Sequence, residues 1–327
     1  MAEPPGCGGP RLVEPNHISV VLPVCNGEKY IQAAVRSLLA QTVPCGIIVS
    51  DDCSTDRTRE IIHTIGSPRL YLLETEPRGG QFVNFNRALR VATGELIQMF
   101  SHDDIAHPGF LASQIASIEQ DPSIGLVYAS GNVIDALRLP SGSHDDDGTP
   151  GIIDFATYLA ISSRHGSLFP SVSCIMTRRQ VLDTVGLFDE GIDVAADLDL
   201  YNRIAERFVI ARNRGMLLDV RVHPESVTSD RQAPLKHMKD ELKILPFYRH
   251  HLGEAGYAQM LRHRARTRGA THGKYILRSL LAGRLSETRA AYEALSLAHN
   301  VPVCIYHAIV QAARDRLARL LPTRHVS

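Results

Sequence analysis

No run of about 18 apolar residues occurs in the chain, so no membrane-spanning helix is expected. The N-terminal stretch "MAEPPGCGGPRLVEP" has no apolar h-region, which argues against a secretory leader. Its Pro and Gly content predicts a disordered tail over residues 1–15. Cys-x-x-Cys pairs are also missing. The six cysteines are Cys7, Cys25, Cys45, Cys53, Cys174 and Cys304. Their scatter fits reduced, mostly buried thiols and a cytoplasmic location, not a disulfide framework. No internal repeat is visible. Net charge is zero overall, with 35 basic residues against 35 acidic. From residue 231 onward, however, 17 Lys and Arg face 6 Asp and Glu, a net +11, which leaves residues 1–230 at −11. An acidic front and a basic rear should meet different partners.

What is present is a regular alternation. "ISVVL" at 18–22 reads as a buried strand, and Ile31, Val35, Leu38 and Leu39 then share one helical face, with Asn26 as a candidate cap. "GIIVS" at 46–50 is a second strand, ended by "DDCSTD", and a short helix runs through Ile61, Ile62 and Ile65. "LYLLE" is a third strand. The next helix carries Phe82, Phe85, Leu89 and Ala92 on one face, with Gly79 and Gly80 before it and Gly94 at its end. Residues 95–100 are the fourth strand, and Pro108 fits the first turn of a helix whose Leu111, Ile115 and Ile118 face inward. Residues 124–134 and 171–177 add strand, and 138–151 read as loop. A helix then carries Tyr201, Ile204, Ala205 and Phe208, and "LLDVRVHP" is the last strand. Beyond about residue 230 the chain is helix-rich and punctuated by Gly253, Gly269 and Gly283. This order predicts an α/β fold, a mostly parallel central sheet flanked by helices over 16–229, with a basic helical extension over 230–327. Ligands of such sheets bind outside the carboxyl ends of the strands. Pro23 to Gly27, Asp51 with Asp52, and Asp103 with Asp104 each follow a strand directly, so three polar clusters converge on one edge.

The motifs "SVVLPVCNGEKYIQAAVRSLLAQT", "IIVSDDCSTDRT", "GELIQMFSHDDIAHP", "GLFDE" and "AADLDLYNRIA" follow one another over about residues 17–228. In that order they resemble the family 2 glycosyltransferases. The resemblance implies the GT-A fold and a role of the bacterial cell-envelope polysaccharide type. It implies inverting transfer of a sugar from a nucleotide-sugar, a UDP-sugar first, to a hydroxyl of a saccharide or lipid-linked acceptor. A divalent metal, Mn or Mg, would assist. Members typically carry Asp-x-Asp-Asp where this chain has Ser101, His102, Asp103 and Asp104, and Glu-Asp where it has Ala196 and Asp197. Each departure removes one carboxylate.

The resemblance assigns roles that ordinary structural uses compete with. Pro23, Asn26, Glu28, Asp51, Asp52, Gly80, Asn86, Ser101 and Asp103 would line the nucleotide-sugar site. Carboxylates at a strand end accept from base N–H groups and ribose hydroxyls, and Asp52 is favoured over Asp51; both also suit an Asx-turn into Thr55. Gly79 and Gly80 permit close approach of a phosphate or simply form a turn. Arg87 matches a position near the donor, and Arg78 is a phosphate partner or a surface arginine. Asp103 is the first metal ligand. Asp104 is the second, or caps the following helix. His223 is a further metal or diphosphate contact, or a buried structural histidine. His102 faces away and shapes the turn. Asp197 is the expected general base, taking the acceptor proton as the oxygen attacks, and its structural alternative is a helix N-cap. Asp189 and Glu190 are expected at the acceptor. Tryptophan is absent, so any stacking on sugar falls to Tyr or Phe.

The basic rear carries "RHRARTR" at 262–268 and a stripe of Tyr306, Ile309, Val310, Ala313, Leu317, Leu320 and Leu321 flanked by Arg314, Arg316 and Arg319. That pattern suits packing against the rest of the chain, or peripheral docking on an anionic membrane at its inner face. No groove-reading or aromatic-interleaved motif supports nucleic acid. Two rival functions stay open. One is a non-catalytic nucleotide-sugar-binding module that kept the fold and lost turnover. The other is a nucleotidyltransferase, which "PVCNGEKY" argues against because it lacks a Gly- and Lys/Arg-rich phosphate loop.

Overall fold

The structure, a computed structural model, describes residues 17–75, 77–137, 140–144, 149–224 and 231–320. The tail expected at 1–15 lies outside them. Packing divides the chain into two compact units. The first holds residues up to Phe155, then Phe169–Phe188 and Arg203–Val222; the second holds Ala156–Leu168, Asp189–Asn202 and His223 onward.

In chain order the elements begin with β1 (Ile18–Val24), α1 (Ile31–Leu39), β2 (Gly46–Asp52), α2 (Thr58–Ile65), β3 (Leu70–Thr75), α3 (Gln81–Val91) and β4 (Leu96–Met99). Then come β5 (Ile105–Ala106), α4 (Phe110–Ile118), β6 (Ile124–Ala129), β7 (Gly131–Ile134), β8 (Pro140–His144) and β9 (Ile152–Ile153). After α5 (Phe155–His165) follow β10 (Ile175–Arg178), α6 (Arg179–Val185), α7 (Ala196–Ala205), β11 (Val209–Asn213) and β12 (Leu218–Arg221). Eight strands form the main sheet in the order β3-β2-β1-β4-β10-β6-β11-β9. β3, β2, β1 and β4 are parallel neighbours, and β10 is antiparallel to both β4 and β6. Every residue of β1 is buried, so both faces of the sheet are covered there, as an all-apolar run in a parallel sheet requires.

A second sheet, β5-β12-β7-β8, is not legible in the sequence. Its β8 falls inside the stretch expected as loop, because "PSGSH" carries no strand signal of its own and is held by pairing with β7. Part of "SVSCIMT" also departs from the expectation: Val172–Cys174 is a 3-10 turn before β10. Three expected helix punctuations move. Helix α1 starts after Tyr30, not at an Asn26 cap. Pro108 precedes the start of α4, whose N-cap is Gly109. Gly94 lies beyond the end of α3; a Cβ there would stand 2.5 Å from the Ser19 backbone nitrogen, so close approach to β1 explains the glycine.

The second unit is helical. It adds α8 (Ala233–Arg266), α9 (Arg268–Leu281), α10 (Leu285–Ala298) and α11 (Val301–Leu320). Gly253, at φ 63°, breaks α8 into two limbs, and Gly283, at φ 71°, separates α9 from α10. Gly269 does neither. It lies within α9, and a Cβ on it would meet Cys304 Sγ at 2.6 Å, while one on Gly273 would meet the Cys304 carbonyl oxygen at 2.8 Å. One turn apart, these glycines let α11 lie close on α9. Met238, Ala265, Tyr275, Ile276, Ala291, Ala294, Leu295, Val301 and Cys304 form this unit's core. No described helix is long and apolar enough to cross a membrane.

Candidate active site

The carboxyl ends of β1, β2 and β4 reach one edge of the first unit, and their loops are tied together there. Pro23 pairs with Ser50 and Val24 with Asp51, while the Phe100 N–H donates to the Val21 carbonyl at 3.0 Å. Pro23 is buried; Asn26 and Glu28 are exposed. Asn26 takes a left-handed conformation, φ 56°, and its Oδ1 accepts from the Thr55 N–H at 2.8 Å, while its own N–H donates to Ser54 Oγ at 2.8 Å. The Glu28 N–H donates to Asp56 Oδ2 at 3.0 Å, and Glu28 Oε2 accepts from the Arg57 N–H at 3.2 Å. Gly27 lets the third loop in. A Cβ there would stand 2.7 Å from the His102 ring, which agrees with His102 as a residue that shapes the turn.

The two aspartates of β2 are buried and committed. Asp51 Oδ2 accepts from the Ser54 N–H at 3.1 Å, the Asx-type turn expected, and from Arg59 Nε at 2.6 Å. Asp52 Oδ1 accepts from the Gly79 N–H at 2.8 Å and Arg87 at 3.1 Å, and Oδ2 from the Gly80 N–H at 2.8 Å. The Gly79 and Gly80 amides therefore face a carboxylate of the protein, and Arg87 is an organising partner of that same carboxylate. Asn86 is buried and exchanges two hydrogen bonds with the Phe188 backbone, at 2.9 and 3.1 Å, so it pins the "GLFDE" turn. Asn84, which sequence reasoning passed over, donates to the Ser50 carbonyl at 2.6 Å and braces the end of β2. Arg78 is exposed.

After β4 the four motif residues diverge. Ser101 and Asp103 are half-buried, and the Ser101 N–H donates to Ser173 Oγ at 2.8 Å. Asp104 is 1% exposed. Its Oδ1 accepts from the Arg221 N–H at 2.7 Å and its Oδ2 from Ser171 Oγ at 3.2 Å. Burial, and then the charge of Asp103, push its carboxyl up to about 7. The N-cap of α4 is Gly109, so Asp104 does not cap that helix, which corrects that reading of Asp104. Arg221 completes the arrangement. Its Nε donates to the Asp103 carbonyl at 2.9 Å, its guanidinium donates to the Asp135 carbonyl at 2.8 Å, and it stacks 4.7 Å from the Tyr30 ring. Arg221 gave no signal in the sequence because its partners are backbone atoms of distant loops.

In the second unit, Asp197 lies half-buried in the first turn of α7. It is not the N-cap: α7 begins at Ala196. Burial pushes its carboxyl up to about 6, although the Leu198 amide and Arg268 pull the other way. Asp189 is exposed and its Oδ1 accepts from the Gly191 N–H at 2.8 Å, while Glu190 is exposed beside it. His223 is buried. Among the described residues no three His, Cys, Asp or Glu side chains come together as a preformed metal cage.

The fold is that of a GT-A-type glycosyltransferase. Residues 19–186 match the family described as Glycosyl transferase family 2, and the chain belongs to that family. An uncharacterized glycosyltransferase of Rickettsia prowazekii is 27% identical over 68% of this chain and 69% of its own length. An uncharacterized protein of Mycobacterium tuberculosis is 41% identical over 34% of this chain and 35% of its own length. The chain thus spans only part of these relatives. Among solved structures, S. aureus TarS 1-349 in complex with UDP-GlcNAc is 17% identical, covering 86% of this chain and 92% of that one, with a TM-score of 0.55. The mannosyltransferase PcManGT from Pyrobaculum calidifontis, in complex with GDP-Man and Mn2+, is 18% identical over 95% of this chain and 82% of its own, also at 0.55. At these identities the likeness shows the fold.

Proposed function

We propose that this protein is an inverting glycosyltransferase that moves a sugar from a nucleotide-sugar, a UDP-sugar first, to a hydroxyl of a saccharide or lipid-linked acceptor. The observation that supports it most is the fastening of the loops after β1, β2 and β4 into one edge, with Asp103 half-buried at its end. The segment Pro23–Glu28 lines the nucleotide site, and Asp51, Asp52, Gly80 and Asn86 hold its walls. Ser101 offers its hydroxyl to the ribose. Asp103 is the residue that would hold a divalent metal. One carboxylate suffices, because such ions are commonly bound by one or two carboxylates plus substrate phosphates. When bound, Mn or Mg neutralises charge that builds on the departing diphosphate. His223 remains a candidate for the diphosphate.

Asp197 takes the acceptor's proton. A single displacement with one base inverts the anomeric centre and needs no covalent intermediate on the enzyme. Its raised proton affinity keeps it basic enough to accept a proton while leaving it ionised near neutral pH. Asp189 and Glu190 would contact the acceptor. Residues 16–229 would carry the chemistry and 230–327 the basic extension.

The test is release of nucleoside diphosphate from UDP-GlcNAc and GDP-Man with Mn²⁺, Mg²⁺ or EDTA. Release from one donor is expected, lost in EDTA and in Asp103→Ala. Metal-dependent binding with no release, even with saccharide acceptors present, would favour the non-catalytic module, to which Ser101 and Ala196 lend support.

The basic extension is proposed to dock on an anionic membrane. In α11 the residues facing the core are Val301, Cys304 and Ala308. Tyr306, Ile309, Ala313 and Arg316 are exposed, and their helical spacing puts them on one other face. An outward apolar stripe ending in arginines suits an acidic lipid surface. Flotation with vesicles containing phosphatidylserine should carry the protein, and Ile309→Glu should abolish it; equal recovery without the acidic lipid would sink the idea.

A further inference from the structure

The base reading leaves open how a carboxylate in the first turn of α7 is held steady, and the answer lies in the C-terminal region that the family match does not reach. Within the second unit, Asp240 of α8 is 1% exposed. Its Oδ1 accepts from the Asp193 N–H at 3.2 Å. Its Oδ2 accepts from the Val194 N–H at 2.7 Å and the Ala195 N–H at 3.2 Å. These amides immediately precede α7. A helix start presents backbone N–H groups with no partner in the helix, and an anionic acceptor there is favoured by both hydrogen bonding and the helix dipole. The usual solution is a Ser, Thr, Asp or Asn at the N-cap. Here the residue before α7 is Ala195, which has no side-chain acceptor; Asp240, 45 residues away, binds the amides of the loop that leads into α7 and not those of its first turn, so it anchors the entry to the helix. Lys243, one turn on in α8, donates to the Gly191 carbonyl and fixes the other end of the same loop.

We propose that Asp240 is a positioning residue for Asp197: it anchors the loop that leads into α7 and so fixes where the base presents its carboxylate. The C-terminal helices are then part of the transfer machinery and not an appendage to it. This rests on the base reading of Asp197. The two can be separated, because Asp240 touches the loop and not the substrate.

The experiment uses the full chain with Asp240→Asn, Asp240→Ala and Asp197→Asn. Hydrogen–deuterium exchange followed by mass spectrometry reports the backbone directly. Asp240→Asn replaces one acceptor oxygen by an NH2 among the three donors. It should raise exchange in the peptide spanning 189–200 by about ten-fold or more, with the peptide over β2 unchanged. In the release assay kcat should drop by up to about 100-fold, the cost of a reacting group misplaced by about an ångström, with donor KM unchanged. The acid limb of the pH profile should shift in Asp240→Asn, which a purely structural residue would not cause. The proposal is overturned if exchange over 189–200 stays at its original level in both Asp240 variants, or if it rises equally throughout the chain. If instead Asp197→Asn retains full release, the base reading fails, while the exchange result still decides whether Asp240 holds the loop. Should Asp240→Ala not fold, Asp240→Asn, which keeps side-chain volume, carries the test alone.

Discussion

Two buried carboxylates, one in each unit, keep different company. In the α/β unit, Asp104 meets the Arg221 backbone N–H and the hydroxyls of Ser171 and Ser173, all neutral donors. In the helical unit, Glu241 meets Arg264 at 3.0 Å, with the two side chains 7% and 1% exposed. Arg264 also donates to the Ser162 and Ser163 carbonyls and lies 4.6 Å from the Tyr248 ring. Glu241 shows how far this environment compensates. Burial raises its proton affinity, yet His299 and the charges of Arg264 and His272 outweigh burial and bring it to about 2. Neutral donors leave Asp104 easily protonated; a buried cation keeps Glu241 ionised. The lesson is that burial alone does not set a carboxylate's state: the partner decides, and not the unit, since Asp51 and Asp52 of the α/β unit meet arginines while Asp240 of the helical unit meets backbone amides.

Asp197 fits neither pattern, and it offers the largest expected effect. Its burial is under-compensated, so its affinity for a proton rises from 3.8 to about 6. Between those values the folded protein binds the proton more tightly than the unfolded chain. The stability linked to this group is therefore present at low pH and is lost as pH rises through about 4 to 6. Transfer runs the other way, because only the carboxylate accepts a proton, so the rate should climb through the same window. Asp197→Asn should cost about 10²–10⁴-fold in kcat. It should also stabilise the protein at pH 8, by on the order of 1 kcal/mol given the group's partial contact with water, or roughly 2–4 °C in Tm. Kinetics and thermal melts at pH 5 and pH 8 check both halves. A helix-capping role for Asp197 predicts the opposite sign for stability.

Much of this was legible in the sequence, and the exceptions share a cause. Buried apolar runs and helical faces mark β1, β2, β4 and α3, and the rule that ligands lie at carboxyl ends gathers Pro23, Asp51 and Asp103 on one edge before any coordinates. What stayed hidden is where polar side chains spend their hydrogen bonds. The sequence does not show that Asp52 accepts from the Gly79 and Gly80 amides, or that Asn86 binds the Phe188 backbone. Arg221 and Asp240 act on main-chain atoms far away in sequence, and no local pattern encodes such partners. The stripe on α11 misled differently. Its apolar period is real, but the small residues Cys304 and Ala308 take the core side because α9 presents Gly269 and Gly273 there.

The contrast between Asp104 and Glu241 can be sharpened by breaking one partner of each. Arg264→Ala leaves Glu241 buried with its principal cation gone, which should cost about 3–5 kcal/mol in thermal or urea unfolding. The double variant Arg264→Met, Glu241→Leu should recover most of that, since a buried ion pair replaced by apolar groups of similar size is often neutral. Asp104→Ala should cost less, about 1–3 kcal/mol, because the donors it strands, the Arg221 N–H and the Ser171 and Ser173 hydroxyls, are all neutral. Asp104→Asn should cost less again: its oxygen still accepts from Arg221, and the wild-type carboxyl is itself close to half-protonated near pH 7. If Asp104→Ala proved as damaging as Arg264→Ala, the α/β unit would depend on charge at Asp104 after all. The ionised form, and not the hydrogen bonds to Arg221 and Ser171, would then be what holds β12 to the loop after β4.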